Sequence, residues 1–300
     1  MARADEYFWL YARGAETLPK GEVEVIFEAI NRRDKDSGSY SFWDFRPEIE
    51  YGITDKLTVK AEAAVFKHDY SNVEWAPLDE NPDYHKTQFA GYELSLKYNL
   101  LSPYKDGIGL AVGMAYERRT HYRLDGAAID QDSFAPSVYL QKNFLDNLLV
   151  IAWSTKVELE RRKSPGVLEE EIAIDSAIGI SYRFAPRWYA GVELRYQSDF
   201  LNPQLYEEAG NPGFDSQGFE LGYQRSSFDL FDWRLGSQYQ YGTYFGPSLH
   251  YGSRKWWATT SLLYQVKGGG DRSRNPSIID GYNWDEHERY HFGLVVGFPF

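Results

Sequence analysis

Cysteine is absent from the 300 residues, which removes at once a disulfide framework, thiolate metal sites and cysteine nucleophiles. No apolar run approaches the roughly 18–20 residues that a spanning helix requires, and the mean hydropathy of −0.55 is clearly polar. Positive charge is not in excess either: 32 Lys and Arg face 44 Asp and Glu, a net charge of −12. Without a basic stripe, nucleic acid is excluded as an expected partner. The opening Met1-Ala2-Arg3-Ala4-Asp5 has no hydrophobic signal core, although Ala2-Arg3-Ala4 has the small-x-small form that signal cleavage leaves. An exported chain is expected, its signal peptide removed or absent. No 20–50-residue repeat and no second domain is visible.

Aromatic residues are abundant: 24 Tyr, 18 Phe and 9 Trp, 17% of the chain. A polar average with this aromatic load conflicts with membrane helices. It agrees with a membrane barrel, whose strands turn only alternate residues to lipid. The last eleven residues carry the pattern most plainly. Tyr290, Phe292, Leu294, Val296, Phe298 and Phe300 alternate with His291, Gly293, Val295, Gly297 and Pro299. A period of two means an extended strand with one greasy face and one face of mostly small groups.

The same alternation recurs along the chain and predicts twelve strands. They fall at about 22–32, 40–51, 57–68, 87–100, 108–119, 133–144, 148–161, 171–184, 188–200, 236–251, 256–267 and 290–300. The fourth is expected to put Ala90, Tyr92, Leu94, Leu96 and Tyr98 outward, and the alternation breaks near Ala63-Ala64-Val65, where a bulge fits. Short turns near 52–56, 102–107, 145–147, 185–187 and 252–255 take turns with mostly longer connections near 33–39, 69–86, 120–132, 162–169, 201–235 and 268–286. A membrane barrel with short turns at one end explains that rhythm, and a soluble sandwich does not. The expected fold is all-β: a transmembrane, antiparallel, up-and-down β-barrel of about twelve strands. It forms one domain over 1–300, with 22–300 as the barrel and 1–21 as an N-terminal periplasmic or lumenal segment.

The terminal Phe300 with hydrophobic residues at alternate positions before it resembles the C-terminal signature of Gram-negative outer-membrane β-barrels. Leu18-Pro19-Lys20-Gly21 before an acidic strand, the run from Glu50 to Leu57 (EYGITDKL), and Gly246-Pro247-Ser248 ahead of Trp256-Trp257 look like an uncharacterised family of about twelve-stranded barrels. The resemblance implies a place, the bacterial outer membrane. It also implies partners: outer-membrane lipid, and the barrel-assembly machinery that would read the Tyr290–Phe300 signature. It brings no reaction and no cofactor.

If the apolar faces meet lipid, the other faces line a lumen. They carry Glu22, Glu24, Glu28, Glu48, Glu50, Glu62, Glu93, Glu117, Glu158, Glu160, Asp175 and Glu193 against Arg46, Lys60, Lys97, Lys156, Arg183 and Arg195, about two acids per base. Such charges must be paired or watered. Either the lumen is a packed ion-pair network, or it holds water at a negative potential that favours cations. Twelve strands lie between the roughly eight that fill with side chains and the roughly sixteen that leave a channel. A passive pore for small ions or solutes with an acidic, cation-leaning lumen is the first expectation. The alternative is a non-conducting structural, adhesive or lipid-handling barrel, plugged by side chains and by residues 5–17. An outer-leaflet hydrolase comes last.

Catalytic constellations are thin. His250 shares an inward face with Ser248, and Ser253 is close in sequence, but there is no G-x-S-x-G and the group lies at the short-turn end. His68, His85 and His121 with Asp69, Glu80 and Asp83 have the donor types for a metal, and Asp285 and His287 with Asp83 and His85 imitate a protease pair. Solvated loop polars are the commoner meaning of both sets, so no metal, catalytic residue or cofactor is assigned. Trp43, Trp153, Trp188, Trp256 and Trp257 read as interfacial girdles. Trp75, Trp233 and Trp284, in loops, read as loop packing with sugar stacking as the other option.

Overall fold

The computed structural model describes residues 7–35, 37–73, 83–164, 167–201, 237–270, 278–279, 281–284 and 287–300. Trp75, Glu80, Trp233, Asp285 and nearly all of the 201–235 stretch lie outside them. The chain runs through β1 (Val23–Arg33), β2 (Ser39–Thr54), β3 (Leu57–Ser71), β4 (Asp83–Leu101), β5 (Gly109–His121), β6 (Ala128–Phe144), β7 (Leu149–Ser164), β8 (Val167–Ala185), β9 (Trp188–Leu201), β10 (Ser237–Gly252) and β11 (Trp257–Gly270). A small antiparallel pair of two-residue strands, β12 (Ile278–Ile279) and β13 (Tyr282–Asn283), precedes β14 (Tyr290–Pro299). Each barrel strand pairs antiparallel with its neighbours in sequence, and β1 pairs with β14, closing a twelve-stranded barrel. Closure leaves no free sheet edge, as a strand structure in lipid requires.

The outer face is apolar where the period of two placed apolar residues. Phe27, Leu94, Phe184 and Leu262 are about half exposed, and Tyr290, Phe292, Leu294, Phe298 and Phe300 all face out. Their neighbours His291, Gly293, Val295 and Gly297 are buried. The short turns are tight. Leu145, Asp146 and Asn147 run consecutively in the left-handed region at φ 53–64°, and only 186–187 separates β8 from β9.

Three expectations need correction. The bulge falls where the alternation broke: Ala64 pairs with Gly91 and Val65 with Phe89, so Ala90 is the extra residue. The insertion flips the phase, so Phe89 faces out and Ala90 is buried against the interior rather than facing lipid. Gly91 takes φ 143°, and a methyl group there would lie 1.8 Å from the Arg118 carbonyl oxygen. Second, Trp257 is no girdle residue. It points inward and is buried, while Trp256 beside it is exposed, because successive strand residues point to opposite faces. Third, the strands are taller at the long-loop end than their apolar pattern. β3 and β4 pair from Asp69 to His85 and beyond, and β7 and β8 continue to Ser164 and Val167 through the expected 162–169 loop. The ladder continues into water, where the alternation that revealed it in lipid has no reason to persist.

A plugged, ion-paired lumen as the candidate functional site

Residues 7–19 lie inside the barrel. They dip in from the short-turn end: Tyr7 stacks on Trp257, Tyr11 reaches His291 on β14, and Thr17 returns to the β2–β3 turn at Asp55. Phe8, Trp9, Leu10, Ala12 and Ala15 are buried there. The inner wall has glycines where the segment presses against it. A methyl group on Gly179 would lie 2.3 Å from Trp9 Cδ2, one on Gly293 2.1 Å from Leu10 Cδ1, and one on Gly52 2.1 Å from the Pro19 carbonyl oxygen. The small inward face is thus the mould of the segment.

The wall also supplies the polar partners that an irregular buried backbone needs. The Glu193 carboxylate accepts from three successive amides, Leu10 at 3.1 Å, Tyr11 at 2.8 Å and Ala12 at 2.5 Å. Arg13 N donates to Ser154 Oγ, Ala15 N to Gln141 Oε1 and Leu18 N to Thr58 Oγ1. Asn99 and Lys97 donate to the Ala15 and Gly14 carbonyls. The Arg13 guanidinium binds the Leu10 carbonyl at 2.7 Å and Glu28 at 3.0 Å. Tyr7 OH lies 3.0 Å from Glu48 and 2.8 Å from Glu50.

Beyond the segment is a chamber of about 310 Å³ whose walls carry most of the charges expected in the lumen. Arg46 is one hub, with Asp44 at 2.9 Å, Glu62 at 2.6 Å and Glu117 at 3.1 Å. Lys60 is another, with Glu48 at 3.1 Å, Glu62 at 3.4 Å and Glu93 at 3.6 Å. Arg119 meets Glu117, Lys156 meets Glu158 at 3.0 Å, and Arg195 grips Asp175 through two nitrogens at 3.0 and 2.6 Å. Glu28, Glu50 and Lys97 line the same space. Glu24 and Arg183 instead line a second chamber at the short-turn end, and Glu193 lines neither, being sealed under the segment it anchors.

The long-loop end is narrowed by residues 122–127. Four consecutive carbonyls are held by the wall: Arg123 by His68 Nε2, Leu124 by Tyr40 OH, Asp125 by Tyr70 OH, and Gly126 by Tyr84 OH and Gln88. Burial raises the Asp125 pKa. In the stretch before β14, Glu288 is buried as well, which alone would raise its pKa. Lys35 Nζ at 3.6 Å and His291 Nε2 at 3.4 Å nevertheless hold it well below the usual carboxylate value. Beside it, burial pushes His287 down to about 3, so it is neutral.

Among the described residues the candidate catalytic sets do not assemble, and Glu80 and Asp285 lie outside them. His68 is enclosed among Phe42, Phe66, Tyr70 and Tyr84, while His85 pairs with Asp69 at 2.8 Å on the exposed outer surface. His121 bonds to the Phe89 carbonyl. Among the described residues no group of three or more His, Asp or Glu is arranged to hold a metal ion. His250 is buried against Phe8 with Nδ1 2.7 Å from Thr259 Oγ1, and the Thr259 hydroxyl donates to the Tyr7 carbonyl. It is a fixture of the plug seat. Trp284 stacks on Tyr282, and the Arg289 guanidinium lies over its ring.

A family model described as "Family of unknown function (DUF6662)" matches residues 1–300. The chain belongs to that family. No curated protein matches it in sequence. Among solved structures, it is similar to the COG4313 outer membrane channel from Pseudomonas putida F1, with 10% identity, 95% of this chain and 98% of that chain covered, and a TM-score of 0.61. The KdgM porin matches with 12% identity, coverage of 92% and 99% and a TM-score of 0.47. The NanC porin matches with 11% identity, 92% and 98% and a TM-score of 0.48. At these identities the likeness concerns fold: the DUF6662 chain has the architecture of an outer-membrane β-barrel.

Proposed function

We propose that this DUF6662 protein is an outer-membrane channel for small hydrophilic solutes, with a cation-leaning lumen that the N-terminal segment keeps closed. The observation that carries the reading is the charged chamber. A barrel serving only as a scaffold gains by filling its interior with close-packed apolar side chains, since buried ion pairs add little net stability. Here thirteen acidic and nine basic side chains surround open space, and Lys156 remains 40% exposed within it. The acidic excess gives the chamber a negative potential. The similar Pseudomonas putida protein is described as a channel, which agrees. The lipid-facing row Tyr290, Phe292, Leu294, Val296, Phe298 and Phe300 fits outer-membrane lipid and recognition by the barrel-assembly machinery.

Planar-bilayer recording of the full chain and of a variant lacking 7–19 tests this. The full chain should open rarely. The variant should conduct steadily, with a reversal potential in a salt gradient of the sign that marks cation preference. A silent deletion variant, or anion preference, refutes it. The closeness of the segment to its glycine mould favours one second reading, a permanently closed barrel with a structural role, and silence from both proteins would select it.

A further inference from the structure

We propose that the chamber at the short-turn end is a binding site for a small multivalent oxyanion bearing phosphate. This chamber measures about 1080 Å³, and Phe8 and Glu16–Pro19 of the N-terminal segment line it on the lumen side. Five cationic side chains line it: Lys56, Lys105, Arg183, Arg187 and Arg254. Four come from turns on opposite sides of the barrel mouth, and Arg183 from the end of β8. Two of these turns are tied together where Gly252 N–H donates to the Arg187 carbonyl at 2.8 Å.

Five carboxylates line the same chamber, so the count of charges is balanced. Their situations are not. Glu16 accepts from Tyr104 OH at 2.5 Å and Gln141 at 2.9 Å, and Glu24 from the Trp257 indole at 2.6 Å. Glu50 accepts from Tyr7 OH at 2.8 Å, Asp55 from Lys20 N at 3.0 Å and Asp106 from Ser102 N at 2.8 Å. Every acid is committed to the wall. Among the described residues, none of the five cations has an ion-pair or side-chain hydrogen-bond partner. The carboxylates keep their charge, but their oxygens are held by the wall, whereas the cations' N–H donors are unused and face one concave space where an anion can take them up. Three of the five are arginines, whose planar forks match phosphate oxygens two at a time. The balanced charge differs from the acidic excess of the chamber beyond the segment, so the site is not an extension of the proposed cation path.

The phosphate can come from a free solute or from a lipid headgroup, and the experiment separates them. The full chain, folded in uncharged maltoside micelles, is titrated with inorganic pyrophosphate by calorimetry at constant ionic strength. Saturable one-site binding is expected. It should weaken at least tenfold in the triple variant R183Q/R187Q/R254Q, whose unfolding midpoint should stay at that of the parent because these side chains hold nothing in the fold. In nanodiscs containing phosphatidylglycerol, retained pyrophosphate binding assigns the site to a free anion. Loss of binding there, with retention in phosphatidylcholine discs, assigns it to a lipid headgroup. Absence of saturable heat in micelles, or equal affinity in the triple variant, overturns the proposal.

Discussion

Glu193→Ala is the sharpest test of how the N-terminal segment is held. The carboxylate accepts from the amides of Leu10, Tyr11 and Ala12 at 2.5–3.1 Å and is fully buried. Truncation leaves three buried N–H groups without an acceptor, at about 1–3 kcal/mol each. Water entering the vacated space satisfies part of them, so the lower bound, about 3 kcal/mol in all, is the prudent figure. At 1.4 kcal/mol per tenfold, the segment should leave its seat roughly a hundred times more often. Amide hydrogen exchange read by mass spectrometry reports this directly, as a matching fall in protection over residues 7–19 with the β-strands unchanged. Glu193→Gln keeps one acceptor oxygen but turns an NH₂ toward the remaining amides, and should fall between the parent and the alanine variant. Unchanged protection at 10–12 in the alanine variant would refute the anchoring argument. So would an equal loss across the strands, because Glu193 would then support the wall rather than the segment.

Gly179→Ala brings a methyl group to 2.3 Å from Trp9 Cδ2. It should destabilise the full chain by about 1–3 kcal/mol in urea unfolding, as overpacking does, yet leave a chain lacking 7–19 no less stable; equal effects in both chains would contradict the mould. Arg46→Met strands Asp44, Glu62 and Glu117 around one lost cation and should cost about 3–5 kcal/mol. Adding Glu62→Gln and Glu117→Gln should recover much of that, and additive losses on urea unfolding would show that the charges do not act as one network. Acidification should loosen the stretch before β14. Glu288 is depressed in the fold, so its contribution is present above its ordinary value and is lost as the pH falls below it. His287 is pushed down to about 3, so its contribution is present above the ordinary histidine value near 6.5 and is lost as the pH falls from there toward 3. Protection factors at 287–289, taken relative to the slower intrinsic exchange in acid, should therefore fall from pH 7 to 4, and His287→Gln should flatten the upper part of that profile; tighter protection in acid would show the sign to be wrong.

The barrel was legible because lipid enforces a period of two on every strand that crosses it. Phe27, Leu94, Ile180 and Phe292 face out as their spacing required, and the broken alternation near Ala64 marked a real bulge. The failures occur where lipid no longer selects residues. The ends of β3, β4, β7 and β8 stand beyond the apolar band. Ala90 is itself the inserted residue, and the break in alternation that marked the bulge stood in its partner strand near Ala64 rather than in its own. Trp257 follows an exposed Trp256, and composition alone could not show that the pair must split between the two faces. The narrowing at 122–127 has no pattern of its own. Its signal lay in Tyr40, Phe42, Phe66 and Tyr70, aromatics buried on the inward face, where a water-filled lumen has no use for them.

The same reasoning applies to the inner wall as a whole. Glycine within a strand costs about 0.5–1 kcal/mol relative to alanine, and it supplies nothing to pack. An open pore gains no strength from Gly52, Gly179 and Gly293, whereas charged or hydroxyl side chains at those positions would line water equally well. The glycines become intelligible once Pro19, Trp9 and Leu10 occupy the space where side chains would have been. A face of small residues opposite a greasy face therefore marks more than the inside of a barrel. It marks an inside shaped for another piece of protein, and here the aromatic run Tyr7–Tyr11 that precedes the first strand is that piece. Ordering an irregular segment costs about 1–2 kcal/mol per residue, a sum comparable to what its buried aromatics and wall hydrogen bonds return. Docking is thus a small difference between large terms. That is why single changes at Gly179 or Glu193, cross-strand partners on β8 and β9 whose inner side meets the segment, should decide whether the lumen is open.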